Sequence, residues 1–235
     1  MKELKVTIYK KEEIISIESL LERLLYLSGI TSFVRGEMVE WFLTGKSKAQ
    51  ALKRKVFQEN KLLDNALLLL DNKIKSLPSI TEAVWNHFDD SIVASNYICK
   101  SFNNTSYQIT IRSPSKTLTF EAMVKYISVL IKDLAPHIIS VETNDYSFNQ
   151  SQTFPDRLPI GWMFYIDEAY DKNKLNLADH MVTVNHDGLP IGSLFMSKKG
   201  VFDGENKEDI ALANSLEIAL VEHEILPTYR TIFKE

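Results

Sequence analysis

FPDRLPIGWMFYI, residues 154–166, joins two unlike halves. In FPDRLP two prolines fix φ on either side of an Asp156-Arg157 pair, which makes a turn-rich approach. GWMFYI is a continuous apolar run of strand-forming residues, the pattern of a strand buried on both faces. The reading predicts an interior strand over 160–166. Side chains alternate along a strand, so Trp162, Phe164 and Ile166 share one face and Met163 and Tyr165 the other. Trp162 is assigned mainly to the core. By composition alone the stretch fits a tightly held loop feeding a core strand, a binding surface or a catalytic loop.

On its C-terminal side, MVTV and IGSLFMS flank NHDGLP, whose Asp187-Gly188 predicts a hairpin. A helix follows in ENKEDIALANSLEIALVEHEIL, with Ile210, Ala213, Leu216 and Leu220 on one face and acids in the first turn, where the helix dipole favours them. On the N-terminal side, TNDYSFNQSQTFPDRLP (143–159) has no hydrophobic period and reads as a long loop, the best candidate for an internal boundary. Before it come the short strand IISVE and the clearest helix, 119–134. Phe120, Met123, Val124, Ile127, Ile131 and Leu134 form the apolar stripe of that helix, and Pro136 stops it.

Farther upstream, Tyr107, Ile109 and Ile111 alternate with polar residues, and ITEAVWNHF and IVASNYICKSF are strands joined at Asp89-Asp90-Ser91. NKLLDNALLLLDNK (60–73) reads as helical, and SKAQALKRKVF as a helix capped by Ser47. EMVEWFLTG has strand composition. Ile17, Leu20, Leu21 and Leu24 mark a helix that Gly29 is placed to end. Leu4, Val6 and Ile8 open the chain as a strand. Strands joined by short turns among amphipathic helices predict an α+β fold: a mostly antiparallel mixed sheet covered by helices, one domain over 1–235.

The 235 residues are 45% hydrophobic, enough for a sizeable core. No run approaches the roughly 18–20 consecutive apolar residues of a membrane-spanning helix, and MKELKVTIYKK lacks the apolar block of a secretory signal. A cytoplasmic location without membrane contact is expected. Cys99 is the sole cysteine, which excludes an intrachain disulfide and a multi-cysteine zinc site. The net charge of −4 is unevenly spread: residues 1–150 hold 19 Lys and Arg against 17 Asp and Glu, and residues 151–235 hold 8 against 14. An acidic third suits a basic partner, a nuclease included, and direct nucleic-acid binding is not expected.

Catalytic signatures are scarce. The chain has no glycine-rich phosphate loop and no HExxH, and its histidines, at 87, 137, 180, 186 and 223, lack ligand spacing. His180 and His186 could share one face of a strand, but two histidines make no metal site without a third ligand. Pro155-Asp156 and Glu205-Asn206-Lys207 imitate the PD…ExK pattern of metal-dependent nucleases. That chemistry needs the ExK on a strand beside the aspartate, whereas Glu205 reads as a helix start. Lys46, Lys48, Lys53, Arg54 and Lys55 form a basic cluster, expected to scatter around a helix with no aromatic among them. No catalytic residue, metal or cofactor is assigned.

The opening stretch resembles the most characteristic segment of the immunity protein 52 family of bacterial polymorphic toxin systems. There a Phe-Pro-Asp-Arg run leads through a proline and a glycine into Trp-Met and an aromatic strand. WFLTGKSKAQAL (41–52), FDGENKEDIALANSLEIAL (202–220) and EILPTYR are similar to other parts of that family, in the same order. The matching residues of the segment are Phe154, Pro155, Asp156, Arg157, Gly161, Trp162 and Met163. The resemblance implies an α+β intracellular inhibitor without catalysis, made beside a toxin that carries a restriction-endonuclease-like nuclease domain and is often delivered by type VI or related secretion.

The sequence therefore predicts an immunity protein that binds and neutralises a nuclease toxin, by covering its nucleic-acid groove or by blocking its assembly. The candidate contact residues are Asp156, Arg157, Asp167, Glu168, Asp89 and Asp90. The alternatives are a small metal-dependent hydrolase or nuclease and a non-catalytic adaptor domain.

Overall fold

The computed structural model describes residues 2–12, 16–58, 61–63, 79–98, 104–112, 114, 116 and 118–232. In chain order the elements are β1 (Glu3–Lys11), α1 (Ile17–Ile30), α2 (Ser32–Arg35), β2 (Trp41–Leu43), α3 (Lys48–Ala51), β3 (Lys55–Gln58), β4 (Lys61–Leu62), β5 (Ser79–Trp85), β6 (Ile92–Ile98), β7 (Asn104–Arg112), α4 (Phe120–Leu134), β8 (Ile138–Thr143), β9 (Met163–Ile166), β10 (Met181–His186), β11 (Leu189–Met196) and α5 (Lys207–Glu222). They fall into two compact units, residues 1–10 with 116–235 and residues 11–115. Each is α+β with antiparallel strands. The 143–159 stretch lies inside the first.

In the first unit the strands lie in the order β10-β11-β9-β8-β1, each neighbouring pair antiparallel. β9 is interior, with Ile166 opposite Ser193 on one side and Ile138 on the other. Asp187 and Gly188, both at positive φ, close the two-residue hairpin between β10 and β11. One face of this sheet, with Ile138, Phe164, Ile166, Met181 and Phe195, packs against Leu216 and Leu220 of α5. By alternation Leu194 faces the other way, and it borders a groove with Val124 and Ile131 of α4. Each buried apolar side chain of this kind contributes about 1.5–3 kcal/mol.

Helix α4 forms for reasons readable locally. Thr119 caps it by accepting from the Ala122 amide, and Met123, Tyr126, Ile127, Leu130, Ile131 and Leu134 are buried. Ala135 ends it in the left-handed region, φ 44°, just before Pro136. The strand expected over 160–166 starts only at Met163. Gly161, at φ 53°, makes an isolated parallel bridge to Val141, and a Cβ there would lie 2.9 Å from Glu142 Cβ and 3.0 Å from the Val141 carbonyl. The chain turns sharply at this close approach and becomes extended afterwards. Ile160 and Trp162 are fully buried all the same.

In the second unit the order is β7-β6-β5-β2-β3-β4, again antiparallel between neighbours. α1 packs against β4, β5 and β6 and buries Leu20, Leu21, Leu24 and Leu27. Ser16 begins α1 with a capping box. Gly29 does not end it: the helix continues to Ile30, α2 follows directly, and Gly36 at φ 85° takes the terminating position. Ser47 caps α3 as expected, but α3 is a single turn. KVFQ then becomes strand β3, because pairing with β2 buries Val56 and Phe57 and overrides the helical pattern. Lys61 and Leu62, within the expected 60–73 helix, form β4; residues 64–73 and Cys99 lie outside the described residues.

Candidate functional site

FPDRLP is fastened to the C-terminal segment of the first unit. The Leu158 amide donates to the Pro227 carbonyl at 3.2 Å, and the Tyr229 amide to the Asp156 carbonyl at 3.1 Å. Arg157 bridges to Thr228, and its guanidinium donates to the Leu226 carbonyl. Arg157 is thus half-buried and engaged within the chain, while Asp156 is exposed and, among the described residues, takes part only through its backbone.

Two buried carboxylates organise the loop ahead of it. Glu217, on the buried face of α5, accepts from the Thr153 amide at 2.6 Å, the Tyr146 hydroxyl at 3.1 Å and the Ile160 amide at 3.2 Å. Burial pushes its carboxyl above the usual glutamate range against the pull of these donors. Glu142 accepts from the Ser147 hydroxyl at 2.7 Å and its amide at 3.1 Å, and pairs with Lys5. The loop is therefore ordered by acids that sequence reading passed over. Glu217 had a legible signal: it stands four residues after Ala213 and three before Leu220, inside the apolar stripe. Glu142, at the end of IISVE, had none.

Beside the fastening lies a cleft of about 530 Å³, lined by Arg157, Ile166, Glu168, Tyr170, His137 and the 224–231 segment. His137 Nδ1 and Asp167 Oδ1 are 2.6 Å apart, and the Tyr170 hydroxyl donates to Glu168 Oε2 at 2.5 Å. Burial, then Glu168 and Asp167, push the Tyr170 phenol well above its usual range, so it remains a donor. The fold thus sets Arg157 and Glu168 on one cleft, with Asp167 joined to it through His137; His137 and Tyr170, which also line it, the sequence did not single out. The hydroxyls there, Thr228 and Thr231, lie 3.0 Å from each other. This arrangement offers charged and hydrogen-bonding contacts to a partner; among the described residues no serine or cysteine lines it.

Asp89 and Asp90 belong to the second unit and shape the β5–β6 turn. Asp89 accepts from Asn86 Nδ2 at 2.8 Å and the Ser91 amide at 3.0 Å, and pairs with the buried Arg35. Burial disfavours its charge, but these hydrogen bonds and Arg35 together hold its carboxyl below the usual range. Asp90, at φ 58°, accepts from Trp85 Nε1 at 3.0 Å. The basic cluster also differs from expectation. Lys48 lies 5.6 Å from the centre of the Trp85 ring, and Lys55 5.8 Å from that of Phe42, because the fold brings in aromatics distant in sequence.

The PD…ExK imitation has no matching geometry. Glu205 precedes the cap residue Asn206 and pairs with Lys2 at 2.8 Å, and Lys207 opens α5. Among the described residues no group of three or more His, Cys, Asp or Glu is placed to hold a metal ion. Nor is any helix among them long and apolar enough to cross a membrane.

No family model and no curated protein matches this chain. Among solved structures, Pseudomonas aeruginosa T6SS protein PA0821 shares its fold, with a TM-score of 0.54 at 10% identity over 94% of this chain and 76% of that one. The toxic C-terminal tip of CdiA from Pseudomonas aeruginosa in complex with immune protein gives a TM-score of 0.31 at 13% identity, covering 61% of this chain and 88% of that one. The second likeness is too slight to carry an argument.

Proposed function

We propose that this chain is an immunity protein that binds and neutralises a cognate toxin delivered between bacteria, a restriction-endonuclease-like nuclease, within the cytoplasm of the cell that makes it. The observation that carries the reading is the likeness in fold, across nearly the whole chain, to a type VI secretion system protein. The resemblance of residues 154–163 to the immunity protein 52 segment supports it independently. In the fold that segment is an ordered, internally fastened approach to β9, with the exposed Asp156 on it and Asp167 and Glu168 just beyond the strand. A nuclease groove is positive in order to hold phosphates, so these acids are the first candidates for its contacts. Arg157 positions the segment, and Asp89 and Asp90 are the next candidates, in the second unit.

The test is to co-express this chain with the toxin encoded beside it and to follow survival and co-purification. Protection with a stable complex is the expected result. Continued killing at equal expression, with no complex in pull-down, overturns the reading. The same purified chain should not cleave DNA or RNA with or without Mg²⁺; cleavage that disappears in Asp156→Ala would instead favour the hydrolase alternative.

A further inference from the structure

Residues 41–58 of the second unit carry five cations, Lys46, Lys48, Lys53, Arg54 and Lys55, and no acid. Lys55 pairs with Glu40 at 2.7 Å, and Arg54 donates to the Thr44 carbonyl. Lys46, Lys48 and Lys53 are exposed, and among the described residues no carboxylate pairs with them. Aromatic rings stand next to these charges. Lys48, over the Trp85 ring, borders with it a cavity of about 240 Å³ that Thr44, Gly45 and Ser47 also line. The acid on that cavity, Asp90, is engaged by the Trp85 indole. In the turn that follows, the His87 and Phe88 rings stack with centroids 4.2 Å apart, and Phe88 is 65% exposed.

Trp85 is also the first residue of an open sheet face. Along β5, Ile80, Glu82 and Val84 are buried, so Thr81, Ala83 and Trp85 alternate onto the other side. The register carries this side through Ala94 and Asn96 of β6 to Gln108 of β7, and Thr81, Asn96 and Gln108 are exposed. Among the described residues of these three strands no carboxylate stands on it. Bases stack on aromatic rings, and an open sheet face with side-chain amides is a platform for splayed-out bases beside a cationic track for phosphates. A duplex hides its base faces. An acidic peptide would satisfy the lysines and leave the rings and amides unused. The acids that argue against nucleic acid belong to residues 151–235, in the other unit.

We propose that this surface binds single-stranded nucleic acid, with bases stacked on Phe88 and against Trp85, base edges bonded to Asn96 and Gln108, and phosphates on Lys46, Lys48 and Lys53. From Trp85 to Thr81 the open face runs roughly 13 Å, and with Phe88 beyond Trp85 it holds about four nucleotides. Stacking and charge do not read the sugar, so a DNA strand serves as the probe. The proposal stands apart from the immunity reading, and its test uses no toxin.

The probe is a fluorescein-labelled 12-mer of deoxythymidine, titrated with the full chain and followed by anisotropy between about 50 and 200 mM salt. Saturable binding is expected with a dissociation constant of about 1–100 µM, and log K should fall against log salt with a slope of roughly −2 for three phosphates. Phe88→Ala removes an exposed ring, so it should keep the melting temperature, weaken binding at least about fivefold and leave the salt slope as it was. Lys48→Gln should make the slope shallower by about 0.7. The proposal is overturned if the 12-mer does not bind, if its duplex with deoxyadenosine binds equally well, or if both variants bind as the parent chain does. Binding that ignores salt would overturn it too.

Discussion

Glu217 accepts from the Thr153 and Ile160 amides and shares the Tyr146 hydroxyl with Asn214 of the same helix, and this makes it the residue on which the 146–160 loop depends. Glu217→Ala leaves the buried Ile160 amide and the part-buried Thr153 amide without their acceptor. The expected loss is roughly 2–4 kcal/mol, read from urea unfolding. The pH dependence follows from its raised pKa. A carboxyl that holds its proton more tightly when folded contributes stability that is full below its ordinary value of 4.5 and is lost as pH rises through the raised one. Glu217→Gln keeps the shape without the titration. Melting temperatures from about pH 4 to 8 should therefore fall more steeply in the parent chain than in the Gln variant, and parallel profiles would refute the assignment. Asp89 carries the opposite sign: its lowered pKa adds stability above pH 3.8 that disappears as pH falls through the folded value.

At the scale of elements, α4 and β9 respond to different physics. Ile127 is fully buried on the α4 stripe, so Ile127→Asp puts a charge among apolar side chains and should leave the chain unfolded by circular dichroism. Gly161→Ala adds only a methyl group but needs a left-handed alanine against the Val141 carbonyl; roughly 2 kcal/mol or more should be lost, visible in chemical denaturation. These elements also show what was legible beforehand. Period and punctuation gave α4, the β10–β11 hairpin and the buried run after Gly161, because each is set by its own residues and their neighbours in sequence. What escaped depended on distant partners. The residues KVFQ become a strand only because β2 is there to pair with them, and Gly161 kinks only because Val141 and Glu142 lie against it. The candidate cleft escaped for the same reason: Arg157 meets Leu226, and Asp167 meets His137, across separations that no local pattern records.

For the whole molecule the charge distribution makes the last prediction, and the fold says which acid tests it cleanly. Asp167 and Glu168 both have work inside the chain, with His137 and Tyr170, so reversing them changes exposed internal contacts worth up to about 1 kcal/mol as well as the surface. Asp156 is exposed and among the described residues contributes only its backbone carbonyl, so Asp156→Lys should leave the melting temperature unchanged while altering the field that a basic partner meets. If the acidic third steers the toxin, this variant slows association and flattens its dependence on ionic strength, since exposed charges are screened over about 8 Å at physiological salt. Dissociation, governed by close contacts, should change less. Trp162→Ala is the contrasting variant: its ring is fully buried, and roughly 3–5 kcal/mol of stability should be lost before any effect on binding can be separated. Stopped-flow association with the purified toxin at low and high salt decides the matter. Equal rates and equal salt slopes for Asp156→Lys and the parent chain would place the steering surface elsewhere.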